Sequence, residues 1–418
     1  MGCPVDKIIR QEQALQRPLR ILWTLPYLPW PTTSGGKLRQ FHLIRTLAER
    51  GHRITLLVQS KQALDADTQW RLLRLVERLI VLPRRPLKHP KTLLAAALAP
   101  YPLLASINGL APALSRRFGQ LLAEGWDVVQ IEHSYAAQPF LAELRRRRQA
   151  FLLTEHNVES ALGAATYQHL PFWSKPYVVY DQWRYRRWEA RVLRAAARVA
   201  AVTAEDAAQL ARVRGEAVDV VVNGVDCRHF ESVRPVAGSR RLLFVGNFEY
   251  PPNLDAVRWC VEDIMPRVWS QAADARLAIC GYAMPEEWKT RWTDARIEWQ
   301  GFVDDLRVEQ AASTLFIAPL REGGGSKLKV LEAMAAGLPV VSTPQGVSGL
   351  SLRDGEDAFT AASAEGLARE ALLLLASPRL AVRVGEAGRA YARARHDWNA
   401  AADQLERLYR EMLDARRS

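Results

Sequence analysis

The sequence predicts an α/β protein with two doubly wound domains, each built on a parallel sheet with helices on its faces. Apolar stretches of strand length alternate with helical patterns along most of the 418 residues, which is the order that parallel sheets require. This alternation begins a second time at Arg240, after residues 228–239, which are rich in charge, proline and glycine and are typical of a linker. At about 100–200 residues per domain, the chain is long enough for two cores.

The N-terminal half begins with a strand, a glycine-rich turn, a helix and a second strand. The first apolar run, residues 19–25, ends in prolines and reaches Ser34-Gly35-Gly36, after which apolar residues recur at helical spacing as far as Leu47. The further strands of this half are expected at residues 54–58, 79–82, 128–131, 151–153, 199–202 and 218–222, with a long helix over 178–197.

The C-terminal half repeats this alternation and then becomes helical. Its strands are expected at residues 242–245, 277–280, 297–300, 315–318 and 339–342. From Ala364 onward the pattern is helical, and its last stretch is amphipathic. We therefore predict an N-terminal domain over 1–230, a C-terminal domain over 231–395, and a terminal helix over 396–418 that packs back towards the N-terminal domain.

Charge and cysteine content limit the partners and the compartment. Lys and Arg number 57 against 45 Asp and Glu, a formal net charge of +12, which suits phosphate-bearing substrates, acidic lipid headgroups or polyanions. The cysteines are scattered without a Cys-x-x-Cys pair, so neither disulfides nor a zinc site are expected, and the polar N-terminus predicts no signal peptide. We expect a cytoplasmic protein. A nucleic-acid-binding protein is a remote alternative that rests on charge alone, because no nucleic-acid module is recognisable.

The string PLREGGGSKLKVLEAMAAGLPVV, residues 319–341, is the densest chemical signal. Its central part holds three consecutive glycines, a residue placed to cap a helix, two lysines and, one turn after the second lysine, a glutamate: Gly323, Gly324, Gly325, Ser326, Lys327, Lys329 and Glu332. Glycine-loop amides and a helix N-terminus together form a typical anion site, to which the lysines add charge. The Glu332 carboxylate can accept two hydroxyl hydrogen bonds from a ribose. The alternative is a glycine-rich turn before an ordinary surface helix.

This string, continued through Pro339-Val340-Val341-Ser342-Thr343, resembles the donor-site signature of retaining glycosyltransferases of family 4. Further landmarks of that family match in the same order: residues 34–36, 222–230, 244–246, 279–281 and 301–306. Within it, the chain most resembles bacterial sugar transferases of exopolysaccharide clusters, which share strings such as EHNVES at 155–160 and YPPN at 250–253. The resemblance implies the GT-B fold, with two Rossmann-like domains facing each other across a central cleft.

The resemblance also implies site roles. Donor-binding residues would be Gly35, Gly36, Gly246, Asn247, Gly323, Gly324, Gly325, Ser326 and Glu332. His133, after a buried strand, would face the transferred sugar, and His156, after the next strand, would line the acceptor side. Catalytic candidates are His133, Glu322, Lys327 and Lys329.

Two departures from the family pattern concern the donor. Asn247 and Pro251-Pro252 stand where many members carry an arginine and a lysine, so another cation must neutralise the diphosphate. The candidates are Lys327, Lys329 and Arg321. Glu322 and Glu332 lie further apart than the family's usual pair of glutamates, so only Glu332 carries over directly, and Glu322 is a candidate ligand of sugar hydroxyls.

The implied function is a retaining glycosyltransferase of hexosyltransferase type. It would move a sugar from a nucleotide-sugar donor to a glycan or lipid-linked acceptor in bacterial polysaccharide or glycoconjugate synthesis. No carboxylate nucleophile is recognisable for double displacement. The resemblance implies retention of configuration by front-face attack, with the leaving phosphate helping to take the acceptor's proton. No cofactor and no metal are expected. The alternative within the same fold is other chemistry, such as a nucleotide-sugar epimerase or a phosphorylase.

Basic and aromatic residues interleave in the helix predicted over 178–197: Trp183, Arg184, Tyr185, Arg186, Arg187, Trp188, Arg191 and Arg194. One interpretation is a solvated helix face. The other is peripheral contact with an anionic membrane surface that carries a lipid-linked acceptor, at the inner face of the membrane. Residues 92–115 carry no charge but contain three prolines, so a membrane-spanning helix is not expected there.

Overall fold

A computed structural model of the chain shows a parallel sheet in the N-terminal half. The residues it describes are 17–61, 63–84, 90, 94, 99–103, 105–106, 111–161, 175–323 and 327–416. The strands of this sheet are β1 (Arg20–Leu25), β2 (Arg53–Ser60), β3 (Arg78–Pro83), β4 (Val128–Glu132), β5 (Leu152–Glu155), β6 (Arg198–Ala201) and β7 (Asp219–Val220). They lie in the order β3-β2-β1-β4-β5-β6-β7. β4 and β5 are buried along their whole length, because helices cover both faces of the sheet.

Helices connect these strands. They are α1 (Gly35–Glu49), α2 (Ala66–Leu73), α3 (Pro112–Leu122), α4 (Gln138–Arg146), α5 (Lys175–Ala195) and α6 (Ala204–Arg214). The side chain of Ser34 accepts a hydrogen bond from the amide of Lys37 and so caps α1. Leu43, Ile44 and Leu47 form the buried face of this helix, as their helical spacing predicts.

The C-terminal half contains a second parallel sheet. Its strands are β8 (Arg241–Val245), β9 (Arg276–Cys280), β10 (Ile297–Gly301), β11 (Leu315–Ala318), β12 (Val340–Ser342) and β13 (Phe359–Thr360), in the order β10-β9-β8-β11-β12-β13. Its helices are α7 (Pro251–Trp259), α8 (Met265–Trp269), α9 (Glu287–Arg291), α10 (Leu306–Ala311), α11 (Leu328–Ala335), α12 (Ala364–Ala376) and α13 (Pro378–His396), followed by α14 (Trp398–Asp414). The predicted fold class, two α/β units with parallel sheets, is confirmed. β13, which is two residues long, is not predicted by the sequence pattern.

The chain divides into two units, Met1–Val222 with Ala401–Ser418, and Asn223–Ala400. The first boundary falls before the predicted residue 230, because Val225, Cys227 and Phe230 are buried in the core of the second unit. The second boundary falls after the predicted residue 395, inside α14. Further along α14, Tyr409 is buried in the first unit, where its hydroxyl donates to the side-chain oxygen of Gln130.

Among the described residues, no helix is both long enough and apolar enough to cross a bilayer. Residues 92–115, for which the sequence analysis also predicts no spanning helix, lie partly outside the described ranges.

Candidate functional site

In the second unit, β8 leads into a turn that carries Gly246 and Asn247. The amide of Gly246 donates to the carbonyl of Cys280 (3.0 Å). A Cβ on Gly246 would lie 3.1 Å from Cγ of Asn253, which is tighter than ordinary van der Waals contact. Glycine at this position therefore makes room for the Asn253 side chain. Asn247 itself is exposed, and its side-chain oxygen accepts a hydrogen bond from the amide of Glu249 (2.9 Å).

Asn253 connects this turn to the first turn of α11. Its Nδ2 donates to the carbonyl of Asn247 (2.7 Å), and its Oδ1 accepts a hydrogen bond from Nζ of Lys329 (2.7 Å). The Lys329 ammonium also lies 4.5 Å from the centre of the Phe244 ring. Burial, with a further contribution from the charge of Lys327, lowers the pKa of Lys329 to about 7. No carboxylate among the described residues pairs with this lysine, so its charge is available to an anionic ligand.

Gly323 and Lys327 flank the glycine loop. Gly323 has φ +109°, and a Cβ there would lie 2.8 Å from the hydroxyl of Tyr250, so both conformation and space require glycine. Its carbonyl accepts hydrogen bonds from Nε2 of Gln345 (2.6 Å) and from Nζ of Lys327 (3.3 Å). The predicted residues Gly324, Gly325 and Ser326 lie outside the described residues. α11 begins at Leu328 with Lys327, rather than the predicted Ser326, at the cap position.

The two predicted glutamates have different surroundings. Glu332, on α11, is half-buried, and burial raises the pKa of its carboxyl to about 7. No described residue donates a hydrogen bond to this side chain, so it is open to the hydroxyls of a ligand. Glu322 is exposed on the loop, and its role as a sugar ligand stays a prediction.

Arg321, the third cation proposed for the diphosphate, is already paired. Its guanidinium donates two hydrogen bonds to the carboxylate of Asp255, one of them 2.9 Å long between Nε and Oδ2. It also lies 5.0 Å from the centre of the Trp259 ring. Because Asp255 neutralises its charge, Arg321 suits an anionic ligand less well than the lysines.

In the first unit, the two predicted histidines lie side by side. His133 follows β4 and His156 follows β5, and because these strands are neighbours, the ring centres are 4.3 Å apart. Nε2 of His133 forms a hydrogen bond with the hydroxyl of Tyr27 (3.2 Å), and its Nδ1 lies 3.4 Å from a carboxylate oxygen of Glu159. His133 has φ +65°, in the left-handed region, at the start of a short 3₁₀ turn. Backbone of this kind is sparsely populated and recurs at functional sites, although Arg148, Arg240 and Ala283 also have a positive φ.

Glu132, the last residue of β4, accepts hydrogen bonds through both carboxylate oxygens. Oε1 accepts from Nε1 of Trp23 (2.9 Å) and Nε2 of Gln130 (2.7 Å), and Oε2 accepts from Nε2 of His156 (2.8 Å). Burial by itself would raise the pKa of Glu132, but the hydrogen bond from His156 and nearby cationic groups outweigh burial and hold the pKa at about 2. Burial lowers the pKa of His156 to about 4. At neutral pH the glutamate is therefore ionised and the imidazole neutral.

Gly36 packs closely against these rings. It lies with Gly35 in the first turn of α1, where amides have no acceptor within the helix. A Cβ on Gly36 would lie 2.8 Å from the Tyr27 hydroxyl and 3.2 Å from Nδ1 of His156. The structure thus brings Gly36, His133 and His156 together.

Two sets of side chains in the described ranges bring metal-ligand atoms within 4.8 Å of one another: Glu132, His133 and His156, and His133, Glu155 and Glu159. In the first set, Glu132 and His156 already satisfy each other by a hydrogen bond. In the second set, burial and neighbouring glutamates raise the pKa of Glu155 well above its usual range. A carboxyl group that keeps its proton is a poor metal ligand. We assign no metal to either set, and metal independence stays a prediction.

Two family models match the chain in its separate halves. Residues 34–229 match the model described as Glycosyltransferase Family 4, and residues 239–377 match the model described as Glycosyl transferases group 1. The chain belongs to glycosyltransferase family 4. The first model contains Gly36, His133 and His156, and the second contains the glycine loop with both lysines and Glu332.

Relatives and solved structures agree with this family. The phosphatidyl-myo-inositol mannosyltransferase of Mycobacterium tuberculosis is 30% identical over 219 residues, which make up 48% of this chain and 56% of that protein. The chain thus spans about half the length of this curated relative. Sucrose-phosphate synthase from Thermosynechococcus elongatus superimposes with a TM-score of 0.67 at 20% identity, covering 96% of this chain and 100% of that one. HepE from Anabaena, solved with UDP and glucose, gives a TM-score of 0.61 at 15% identity, covering 93% and 99%. These structural likenesses confirm the GT-B fold.

The residues predicted for a family 4 glycosyltransferase fall into two groups. The second unit holds Gly246, Asn247, Glu322, Gly323, Lys327, Lys329 and Glu332, and the first holds Gly35, Gly36, His133 and His156. The sequence analysis misses three side chains that position members of these groups: Tyr27, Glu132 and Asn253. Only Asn253 has a sequence signal, as the last residue of the YPPN string. The roles of all these residues in transfer stay predictions.

Proposed function

We propose that this chain is a retaining glycosyltransferase that moves a hexose from a nucleotide sugar to a glycan or lipid-linked acceptor in bacterial polysaccharide or glycoconjugate synthesis. The observation that carries the proposal is Lys329, which is held by Asn253 at the start of α11 without a carboxylate partner among the described residues. A cation of this kind beside a glycine loop suits a diphosphate. Glu332, which has no donor among the described residues, suits ribose hydroxyls.

The names of similar proteins support this type of substrate. One relative is a mannosyltransferase that is named for phosphatidyl-myo-inositol, a lipid. A structural neighbour was solved with UDP and glucose. We therefore propose a nucleoside diphosphate hexose as donor and an acceptor that is carried by a lipid or a glycan.

The proposed chemistry follows from where charge develops. When the bond between the anomeric carbon and the donor oxygen breaks, negative charge collects on the diphosphate, and Lys327 and Lys329 would stabilise it. The acceptor oxygen forms its bond to the anomeric carbon on the face that the diphosphate leaves, so the configuration is retained. The acceptor's proton passes to an oxygen of the leaving phosphate. His133 would contact the sugar on which positive charge develops.

A donor panel tests the proposal. The full chain is mixed with UDP- and GDP-linked hexoses, with and without EDTA, and we follow its melting temperature and the release of nucleoside diphosphate. A donor at 100 times its Kd should add about 2.7 kcal/mol to the free energy of unfolding. Slow release of free sugar, unaffected by EDTA, supports transfer without a metal. A donor returned with inverted C2 would identify an epimerase instead. If no nucleotide sugar or nucleoside diphosphate binds, the proposal is refuted.

The second part of the proposal is contact between α5 and an anionic membrane surface. A groove of about 930 Å³ runs along this helix and is lined mainly by arginines and aromatic residues: Tyr180, Trp183, Arg184, Arg186, Arg187, Trp188, Arg191 and Arg194. Trp183 is 51% exposed, and the guanidinium of Arg187 lies 4.7 Å from the centre of its ring. Exposed tryptophan and arginine together suit the interface of an anionic bilayer.

Part of the interleaved run does not face outward. Arg184 is buried and pairs with Asp181 (2.5 Å), and Tyr185 and Trp188 are buried in the first unit. The membrane contact therefore rests on Trp183, Arg187 and their neighbours.

Sedimentation with vesicles that contain phosphatidylglycerol tests the contact. At about 1 kcal/mol for each basic residue, removing both Arg187 and Arg191 as glutamines should weaken binding about 30-fold at low salt. Arg116→Gln, an exposed arginine on α3, serves as control and should leave binding unchanged. If the double variant binds as well as the wild type and Arg116→Gln, or if the wild type does not bind at low salt, the membrane contact is contradicted.

A further inference from the structure

We infer that Arg84 and Tyr135 bind an anionic group of the acceptor, a phosphate or a carboxylate, at the carboxyl edge of the first sheet. That the anion belongs to the acceptor rests on the proposed function, in which the donor's diphosphate meets the lysines of the second unit. The anion site itself does not, because it follows from residues of the first unit alone.

Arg84 directly follows β3 and is held at the carboxyl edge of the sheet. Its amide donates to the carbonyl of Ser60 (2.7 Å), which continues the pairing of β3 with β2 by one residue. Tyr135 lies at the same edge, in the short 3₁₀ turn after β4. In the strand order β3-β2-β1-β4-β5, the direction of winding changes between β1 and β4. Ligands of parallel α/β sheets bind outside the carboxyl ends of the strands at such a switch point.

The side chains of Arg84 and Tyr135 converge over this edge. Because β2 and β1 lie between β3 and β4, the two backbones are about 14 Å apart, at about 4.8 Å per strand. The two side chains nevertheless interact: burial raises the pKa of Tyr135, and the positive charge of Arg84 opposes this rise. Both side chains therefore extend towards each other over the ends of the intervening strands.

Arg84 is half-buried, and no carboxylate in the described part of the chain pairs with its guanidinium. Its Nε is buried and has no hydrogen-bond partner there. Burial lowers the pKa of Arg84, but an arginine remains protonated, so the charge is kept at a cost. Of the acidic neighbours of Tyr135, Glu159 lies 3.4 Å from Nδ1 of His133. Burial and neighbouring glutamates raise the pKa of Glu155 well above its usual range, so this second neighbour adds little negative charge.

An anionic oxygen group supplies the partner that these two side chains lack. The guanidinium is a planar fork whose N–H groups match two oxygens of a phosphate or a carboxylate. The Tyr135 hydroxyl makes no hydrogen bond within the described ranges. Because burial raises its pKa well above its usual range, the hydroxyl keeps the proton that it would donate. The pair therefore favours an acceptor that carries a phosphate or an acidic sugar over a neutral one.

Calorimetric titration of the full chain, without nucleotide, tests the anion site. The probes are a short-chain prenyl phosphate and glucuronic acid, with the prenyl alcohol and glucose as their uncharged counterparts. We expect at least one anion to bind more tightly than its counterpart, and Arg84→Gln to raise the Kd of that anion about tenfold or more. Binding of the prenyl phosphate alone identifies a lipid-linked phosphate as the source, binding of glucuronic acid alone identifies an acidic sugar, and binding of both supports the shared site.

Further variants separate binding from a structural role. Tyr135→Phe removes one hydrogen-bond donor and should weaken the same anion about two- to tenfold. Arg116→Gln, at an exposed arginine of α3, should leave its binding unchanged. Because no described carboxylate neutralises Arg84, Arg84→Gln should unfold at the same urea concentration as the wild type or at a higher one. A lower midpoint together with unchanged anion binding would assign Arg84 a structural role instead.

The inference is overturned if neither anion binds better than its uncharged counterpart, or if Arg84→Gln binds the anion as tightly as the wild type. If Arg84→Gln weakens UDP and GDP about tenfold, the group that it meets is the donor's diphosphate, which overturns the assignment to the acceptor. If the wild type binds no nucleotide sugar and no nucleoside diphosphate, the proposed function fails, while the titration with anions still decides whether Arg84 and Tyr135 form an anion site.

Discussion

Replacing Lys329 with methionine should remove most of the affinity for a nucleoside diphosphate and leave the fold intact. Methionine keeps an unbranched apolar stem beside the Phe244 ring but loses the charge and the hydrogen bond to Asn253. A hydrogen bond to a charged group contributes about 1.5–3 kcal/mol, and each 1.4 kcal/mol changes Kd about tenfold. The Kd for UDP or GDP should therefore rise about 10- to 150-fold.

The pH dependence of binding provides an independent measure of the same charge. Burial lowers the pKa of Lys329 to about 7, and only the protonated amine neutralises a diphosphate. Affinity of the wild type should therefore be nearly constant below about pH 7 and fall by up to about tenfold per pH unit above it. The Lys329→Met variant should lack this decline.

Calorimetric titration with UDP and GDP from pH 6 to pH 9 is a suitable assay. Lys289→Met, which removes an exposed lysine of α9 that pairs with Glu286, is the matched control and should resemble the wild type. If Lys329→Met binds within about twofold of the wild type and wild-type affinity does not decline above pH 7, Lys329 does not meet the diphosphate. The argument from its burial would then be wrong.

Three further substitutions test other parts of the site. Burial raises the pKa of Glu332 to about 7, so the folded state binds this proton more tightly than the unfolded state. The wild type therefore loses stability as the pH rises from about 4.5 to 7. In urea unfolding, Glu332→Gln should be more stable than the wild type by about 1–3 kcal/mol at pH 8, but not at pH 4. Gly36→Ala places a methyl group 2.8 Å from the Tyr27 hydroxyl and should slow donor hydrolysis about tenfold or more, while a rate equal to the wild type would show that hydrolysis does not depend on the close packing at Gly36. Arg321→Gln should change the Kd for UDP less than about threefold, because Asp255 already neutralises Arg321; a larger loss by calorimetry would place this arginine at the diphosphate.

Apart from β13, the strands of both sheets could be predicted, because most parallel strands are buried on both faces. Such strands are short continuous apolar runs, so residues 242–245 and 128–131 are recognisable as β8 and β4 from local sequence. The residue at which the second unit begins could be predicted less accurately. Val225 and Phe230 belong to its core, but the charged and proline-rich residues after them suggest a later boundary.

The site could be predicted only where its residues are close in sequence. Lys329 and Glu332 lie on one short helix, with Lys327 at its cap position, so their proximity follows from helical spacing. The bond between Glu132 and His156 depends instead on β4 and β5 being neighbours, and on the lateral contact of Glu132 with Trp23 of β1. Strand order is not contained in the local pattern of apolar residues, which is why Glu132 is missed although its neighbour His133 is predicted.

Lys329 and Glu332 have similar pKa values in the free protein, and a bound nucleotide should move them in opposite directions. Burial holds both pKa values at about 7, so at pH 7 each group carries about half a proton. A diphosphate raises the pKa of Lys329, which takes up about half a proton, whereas ribose hydroxyls stabilise ionised Glu332, which releases about half a proton. Calorimetry in buffers of different ionisation enthalpy measures this exchange for UDP and for inorganic pyrophosphate, which has no ribose. Glu332→Gln should alter the number of protons exchanged when UDP binds and leave the number exchanged with pyrophosphate unchanged. Because variant and wild type are compared with the same ligand, the ligand's own ionisation cancels. If the variant alters both equally, or neither, Glu332 does not bind the ribose, whatever Lys329 does.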